Sequence, residues 1–365
     1  MVLLLEYEGK RLFEAYGIPV PTHHLVKGIR DIRSIRTASV IKAQVPTGGR
    51  GKLGGVVAVR TVRAAKAALE KIKTIDFNGF HSKYFLIEEE IRRQVELYIS
   101  ITLDRSKRSA VLIVSKKGGI NIEEVPATLI STYEVNQLIG LPEYIKRNAF
   151  DRLEPPEKFR DQFYHILDAL WHLYVSEDAE LVEINPLAVT ANGLVALDSK
   201  VVVEDDSLFR HPNVKAQVSG DEIERKASAM GISFVRLSGD IGLIANGAGL
   251  TMATIDQIST NGGKPGDFLD LGGTDDPARV YDAFSIVALS KPRVLLVNIF
   301  GGVTKCDTVA MGIVRAIDKF RPVFPVVVRL SGFNEEKGVE LLKARNITAF
   351  REMNVAVTEA IRLSV

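Results

Sequence analysis

Cysteine is almost missing from this chain of 365 residues: Cys306 stands alone. A single cysteine excludes an intrachain disulfide and a cysteine-based metal cluster. An excess of charge of one sign is missing too. Against 47 Lys and Arg stand 45 Asp and Glu, a formal net charge of +2 with no long basic run. A nucleic-acid surface therefore has no electrostatic support. Long apolar runs are also lacking. Val2 to Leu5 is far too short for a signal peptide and leads straight into Glu6 and Glu8. No segment approaches the roughly 20 apolar residues that cross a bilayer. Together these absences predict a cytoplasmic protein with neither membrane nor nucleic acid as a partner.

What is present is an ordinary globular composition, 46% hydrophobic and 25% charged. The length exceeds what one hydrophobic core usually organises, so more than one domain is expected. Two textures divide the chain. In the first, a short amphipathic helix over Leu5 to Tyr16 ends at Gly17-Ile18-Pro19-Val20-Pro21. A strand over Ser39 to Val45 enters a glycine-rich loop, and a meander follows over Glu96 to Leu103, Ser109 to Ser115 and Ile120 to Val125. A long helix over Glu157 to Val175 precedes a hairpin, Leu181 to Asn185 and Leu194 to Asp198, that turns at Asn192-Gly193. Strands with segregated helices predict an α+β domain.

After a polar stretch at Ser219 to Arg225 the rhythm changes. Apolar strands at Ile241 to Ala245, Phe268 to Leu271, Val294 to Phe300 and Val326 to Leu330 alternate with helical segments. Each ends in a small-residue turn. Such strands belong to a parallel sheet buried on both faces, an α/β domain whose ligands bind at the carboxyl ends of the strands. The boundary falls between residues 230 and 231, giving domains over 1–230 and 231–365.

Three constellations carry chemistry. The first joins Lys42 to Gly48-Gly49-Arg50-Gly51-Lys52-Leu53-Gly54-Gly55. Glycines let successive backbone N–H groups approach a ligand, and the cations suit a polyphosphate. Gly-Lys-Ser/Thr is absent, so this is no Walker loop, and by itself the run reads equally as a solvated basic hairpin. In the second, the apolar strand Tyr84 to Ile87 empties into Glu88-Glu89-Glu90, with Glu96 on the next strand. Its backbone edge can meet an adenine and its carboxylates the ribose hydroxyls. Alone it would read as a solvated charge run. In the third, Asn185 of Glu183-Ile184-Asn185-Pro186 faces Asp198 across the hairpin. Hard oxygens without His or Cys favour Mg²⁺ carried by phosphates, and the bland alternative is an Asx turn.

In this order, Lys42-Ala43-Gln44-Val45, the glycine loop, Glu96-Leu97-Tyr98 and Asp104-Arg105 resemble the β subunits of succinyl-CoA synthetases. So do Glu183-Ile184-Asn185-Pro186-Leu187, Asn246-Gly247-Ala248-Gly249-Leu250 and Asn298-Ile299-Phe300-Gly301-Gly302. The resemblance covers essentially the whole chain. It implies an ATP-grasp domain followed by a flavodoxin-like, doubly wound CoA-ligase domain. By position it implies that Lys42, the Gly49-Arg50-Gly51 backbone and Glu96 hold ATP or ADP. Glu88 and the Ile91 backbone would border the base, and Asn185 and Asp198 would hold Mg²⁺. Asn246 and Gly302-Val303-Thr304 would contact the organic acid. Pro46, Ser199, Thr274 and Thr304 depart from the family pattern. A hydroxyl at Thr304, where aliphatic residues are common, predicts better tolerance of a hydroxylated acid.

The resemblance further implies that ATP phosphorylates a histidine, which passes the phosphate to the acid before CoA displaces it. The six histidines are His23, His24, His81, His165, His172 and His211, and none lies in a glycine-rich context. The phosphohistidine is therefore expected on a partner α subunit, in an αβ or α2β2 assembly, with most of the CoA contacts. Gly249-Leu250-Thr251 opens a helix whose N-terminus would stabilise that phosphohistidine. Three readings follow: a succinate ligase subunit, a relative using malate, citrate or acetate, and a nucleotide sensor without turnover.

Overall fold

Strand β1 (Val2–Leu3) and helix α1 (Glu6–Ala15) open the computed structural model, which describes residues 2–35, 37–212, 214 and 221–364. Glu8 starts α1 by accepting from the Leu5 N–H at 2.9 Å, half of a capping box. A small antiparallel lobe follows: β2 (His23–Val26), β3 (Ser39–Ala43), β4 (Val56–Val59), α2 (Val62–Lys73) and β5 (Phe85–Glu89). Its strand order is β2-β5-β3-β4. Thr61 caps α2 by accepting from Ala64 N at 3.1 Å, and Ala65, Leu69 and Ile72 pack with Ile41, Phe85 and Ile87. The glycine-rich segment joins β3 to β4 as a hairpin loop and opens no helix. Gly49 and Gly54 have φ of 76° and 83°, values that disfavour any side chain.

The larger sheet of the same unit uses β6 (Val95–Asp104), β7 (Ser109–Ser115), β8 (Ile130–Val135), α3 (Glu143–Leu153), α4 (Arg160–Ser176), β9 (Ala179–Val189), β10 (Leu194–Ala196) and β11 (Lys200–Val203). The order is β1-β11-β9-β6-β7-β8, with β10 also on β9. Two meander strands lie where the sequence predicts them, and the third does not. Residues 120–125 hold a short 3₁₀ turn over Ile122–Glu124 and Pro126 follows, so β8 supplies the third strand. Helix α4 buries Phe163, Ile166, Leu167 and Leu170 against this sheet, with His165 and His172 on its exposed face.

Two compact contact units, Met1–Ser219 and Gly220–Val365, divide the chain. The second contains α5 (Glu222–Ala229), β12 (Ser233–Arg236), β13 (Ile241–Ala245), α6 (Ala248–Thr260), β14 (Pro265–Asp270), α7 (Pro277–Ser290), β15 (Val294–Gly301), α8 (Cys306–Phe320), β16 (Val326–Gly332), α9 (Glu335–Lys343), β17 (Ala349–Phe350) and α10 (Met353–Ser364). The expected boundary at 230/231 would cut α5 from β12, yet Ala227 shares one core with Ile232 and Phe234. Of the polar stretch expected before the change of texture, residues 219 and 220 lie outside the described residues. Asp221 caps α5 through its carboxylate.

Strand order in this unit is β12-β14-β13-β15-β16-β17, parallel except for the edge strand β12. Counting the five parallel strands alone, the order is 2-1-3-4-5, the flavodoxin-like doubly wound topology. Both faces are packed. Ile244, Val297, Phe284 and Ile313 form one core, and the alternate residues Leu243 and Leu296 join Ile258 and Val357 in the other. Register sets Ala245 beside both Asp270 and Asn298, so the turns after β13, β14 and β15 open at one edge. Among the described residues no helix is long and apolar enough to cross a membrane.

The seating of α8 on α7 rests on Gly312. A Cβ there would lie 2.5 Å from the Val280 Cβ and 2.8 Å from the Pro277 oxygen. Helix propensity alone would make Gly312→Ala stabilising by about 0.8–1 kcal/mol. Overpacking of about 1–3 kcal/mol outweighs it. The variant should therefore lower the stability of the second unit in urea unfolding followed by hydrogen exchange. A gain in stability would show that the helices do not approach this closely.

Candidate functional site

Six charged side chains from five parts of the first unit converge in its interior. Glu6 and Lys10 come from α1, Lys42 from β3, Glu88 from β5, Arg50 from the glycine loop and Asp198 from the gap between β10 and β11. Glu6 is the node. Its Oε1 meets Lys10 Nζ and Lys42 Nζ at 2.8 Å each, and its Oε2 meets Arg50 Nη2 at 2.9 Å. Glu88 bonds Lys42 at 2.5 Å and Lys10 through its other oxygen. Lys42 has a third acceptor in the Leu197 carbonyl at 2.7 Å. Arg50 donates to Ala43 O at 2.9 Å and to both Asp198 oxygens at 3.2 Å.

Burial by itself would raise the pKa of Glu6, but Lys10, Lys42 and Arg50 overcome it and hold the carboxyl well below its ordinary range. Burial opposes the charge on Lys42, and Glu6 and Glu88 more than offset it, so its pKa rises. Asp198 is pushed upward by burial and by the neighbouring Glu6. Glu6 and Lys42 are thus held in their charged forms, whereas the shift of Asp198 runs toward its neutral form. Ser199 adds a tie, donating from its hydroxyl to the Glu6 carbonyl at 2.9 Å.

Sequence reasoning missed Glu6 and Lys10 because an i, i+4 pair on a short helix reads as a surface salt bridge. A signal was there: Glu6, Lys10 and Phe13 share one face, and Phe13 must be buried. Glu88 needs correction. It does not border a base, because its side chain is 4% exposed and bonded to Lys10 and Lys42. Alternation along β5 sends Glu88 inward and Glu89 outward.

Ile91 and Glu96 instead line a cavity of about 1060 Å³ with Arg60, Arg93, Lys116 and Lys117. Glu96 pairs with Arg93, and its carbonyl accepts from Gly118 N at 2.9 Å. The wall at Gly118 is tight, since a Cβ would lie 2.4 Å from Leu97 O. Asn185 buttresses this loop, accepting from Gly119 N at 2.7 Å and donating to Ile120 O at 2.9 Å. Near it, Tyr98 donates to Glu183 at 3.3 Å, and burial pushes the Glu183 carboxyl up.

Ala196 lies opposite Leu187 and Lys200 opposite Glu183, so Asp198 and Asn185 both fall in the stretch between these paired positions. Two hard oxygen donors of this kind fit a Mg²⁺ held mainly by phosphates. Among the described residues no group of three or more His, Cys, Asp or Glu could hold a metal without such help.

In the second unit the carboxyl-end turns are laced together. Asp270, which the sequence reading missed, accepts from Gly247 N at 2.7 Å and Gly272 N at 2.9 Å. Asn246 bonds the Phe300 backbone twice, donating to its carbonyl at 3.0 Å and accepting from its N–H at 2.9 Å. Val303 is exposed, whereas Thr304 is 1% exposed. Its hydroxyl donates to Gly272 O at 3.2 Å and accepts from Thr274 N at 3.0 Å. The expectation that this hydroxyl meets the acid therefore fails; it ties two turns together. Gly249 and Leu250 occupy the first turn of α6. Thr251 does not offer its N–H, which bonds Gly247 O at 3.0 Å, as does its hydroxyl at 2.9 Å.

The two halves match known domain families. The ATP-grasp domain family matches residues 3–189, and the CoA-ligase family matches residues 244–363. A succinate–CoA ligase [ADP-forming] subunit β from Bacteroides thetaiotaomicron is 41% identical, with 93% of each chain covered. Its namesake from Desulfurococcus amylolyticus is 40% identical over 99% of this chain and 98% of that one. Among solved structures, an ATP citrate lyase from Methanothrix soehngenii in complex with citrate and coenzyme A has a TM-score of 0.68 at 20% identity, covering 99% of both chains. That likeness is one of fold, and it extends through both units. With an ATP-grasp half, a CoA-ligase half and full-length identity of this size, the chain belongs to the family of ADP-forming succinate–CoA ligase β subunits.

Proposed function

We propose that the chain is the nucleotide-binding β subunit of a succinate–CoA ligase, which with an α subunit converts succinate, CoA and ATP to succinyl-CoA, ADP and phosphate. The observation that carries this reading is the presence, within the ATP-grasp unit, of both a cation-lined cavity of about 1060 Å³ and an ion-paired cluster that includes the glycine loop's Arg50. ATP or ADP occupies the cavity beside Ile91 and Glu96. Its phosphates reach the Gly49-Arg50-Gly51 backbone and Lys42. Phosphoryl transfer needs positioning and charge stabilisation more than covalent chemistry from the protein, and fixed cations supply both. Asn185 and Asp198 hold Mg²⁺, which would neutralise phosphate charge during the transfer.

The phosphorylated histidine and most CoA contacts belong to the α subunit. None of the six histidines lines the cavity or joins the charge cluster. Gly249 and Leu250 at the start of α6 receive the phosphohistidine through free N–H groups and the helix dipole. The acid sits at the 302–304 turn, held by backbone N–H groups rather than by the Thr304 hydroxyl, with Asn246 bracing Phe300. Both units act in the cytoplasm.

The test is turnover by the chain purified with its α partner, using ATP and succinate, malate, citrate or acetate. Succinate should give the highest kcat/KM. Lys42→Ala should slow ATP-dependent phosphorylation of the partner's histidine by at least about tenfold, since a phosphate contact to a charged group contributes roughly 1.5–3 kcal/mol. Succinyl phosphate added directly should still yield succinyl-CoA at the unaltered rate. An equal loss in that half-reaction would remove Lys42 from the nucleotide site, and a preference for another acid would overturn the substrate.

Thr304→Val removes a buried hydroxyl that joins two turns but touches no acid. Rates with succinate and malate should fall by the same factor, and stability by about 1 kcal/mol. A selective loss with malate would put the hydroxyl in the acid site after all.

A further inference from the structure

The six clustered charges form a set of three anions and three cations, and they are not equally sealed. Side-chain exposure is 0% for Lys10, 1% for Glu6, 4% for Glu88, 10% for Lys42 and 11% for Arg50, but 38% for Asp198. Asp198 is therefore the only member that opens to solvent. Its sole cationic partner in the set at bonding distance is Arg50, and the geometry of that bond is poor. One nitrogen, Nη2, faces both oxygens at 3.2 Å, rather than two nitrogens lying fork-on-fork against them. The guanidinium has two further anchors, an ion-pair contact with Glu6 at 2.9 Å and a hydrogen bond to the Ala43 carbonyl at 2.9 Å. The Arg50–Asp198 contact is the longest of the network and the most exposed.

We propose that Arg50 is a resident counter-cation of Asp198 that competes with a divalent metal for the same two oxygens, and so makes metal binding conditional on phosphate. This rests on the reading of Asn185 and Asp198 as the metal pair. A guanidinium 3.2 Å from both oxygens and a metal bonded to either of them would place a charge of +1 against +2 at short range in a partly dehydrated site. The two cations are alternatives. Phosphate charge arriving with the metal cancels the repulsion and offers the released guanidinium an anion, while Glu6 and Ala43 keep it on station. Metal and nucleotide then bind with positive coupling, and by linkage each raises the affinity of the other by the same factor.

Mn²⁺ binding to the complete two-subunit enzyme, read from the free Mn²⁺ signal in electron paramagnetic resonance, tests this without turnover. Without nucleotide, Arg50→Gln should bind Mn²⁺ at least tenfold more tightly than the native enzyme, and Arg50→Lys should fall between them. ADP should tighten Mn²⁺ binding strongly in the native enzyme and much less in Arg50→Gln. Asp198→Asn should abolish the site. Unchanged or weaker Mn²⁺ binding in Arg50→Gln, with Asp198→Asn still abolishing it, would overturn the competition and leave the metal pair standing. Native-like binding in Asp198→Asn would overturn the metal pair and the proposal with it. If Arg50→Gln melts too low to titrate, Arg50→Lys decides alone, and no gain over the native enzyme refutes the proposal.

Discussion

The interaction on which the nucleotide half of this protein depends is the contact of one buried carboxylate with three cations. Glu6 bonds Lys10, Lys42 and Arg50, and through them reaches β3, the glycine loop, β5 and the gap before β11. Buried ion pairs often add little net stability, because desolvation opposes the Coulomb gain. Breaking one is another matter. It strands an unpaired charge at a cost of about 3–5 kcal/mol, so the geometry tolerates few substitutions. The cluster thus acts as a constraint more than as a source of stability. It fixes where Lys42 and Arg50 present positive charge, and it seats α1 in the same stroke.

The second unit solves a different problem with different means. Its turns are joined by backbone bonds to Asp270, Asn246 and Thr304, and also by the ion pair of Lys305 with Asp275. A small carboxylate or a phosphoryl group needs only convergent N–H donors, and strand ends in a doubly wound sheet provide them.

Much of this was legible in the sequence, for reasons that differ along the chain. The strand Ile241–Ala245 lies where its apolar run predicts, because a strand buried on both faces has no choice of residue type. The short run after Ile120 was misread, since Asn121 and Pro126 favour a 3₁₀ turn that apolar spacing alone does not reveal. The family resemblance anticipated the ATP-grasp and CoA-ligase halves, yet not the place of individual side chains. Glu88 was assigned to the base when pleat alternation turns it toward Lys42. Thr304 was assigned to the acid when its hydroxyl bonds the neighbouring turn. Glu6 escaped because a partner 193 residues away in sequence, Ser199, helps to bury it, and no local pattern carries that information.

Trp171, the single tryptophan, sits 8% exposed in the core of the first unit and reports its unfolding without a label. A double-mutant cycle of Glu6→Gln and Lys42→Met, followed in urea by this fluorescence, tests the central claim that the cluster acts as one unit. Each single variant should destabilise by about 3–5 kcal/mol. The double variant should recover part of the loss, with a coupling of at least about 1.5 kcal/mol. Effects that add to within about 0.5 kcal/mol would mean that Glu6 and Lys42 do not share a network, and the account would fail at its base.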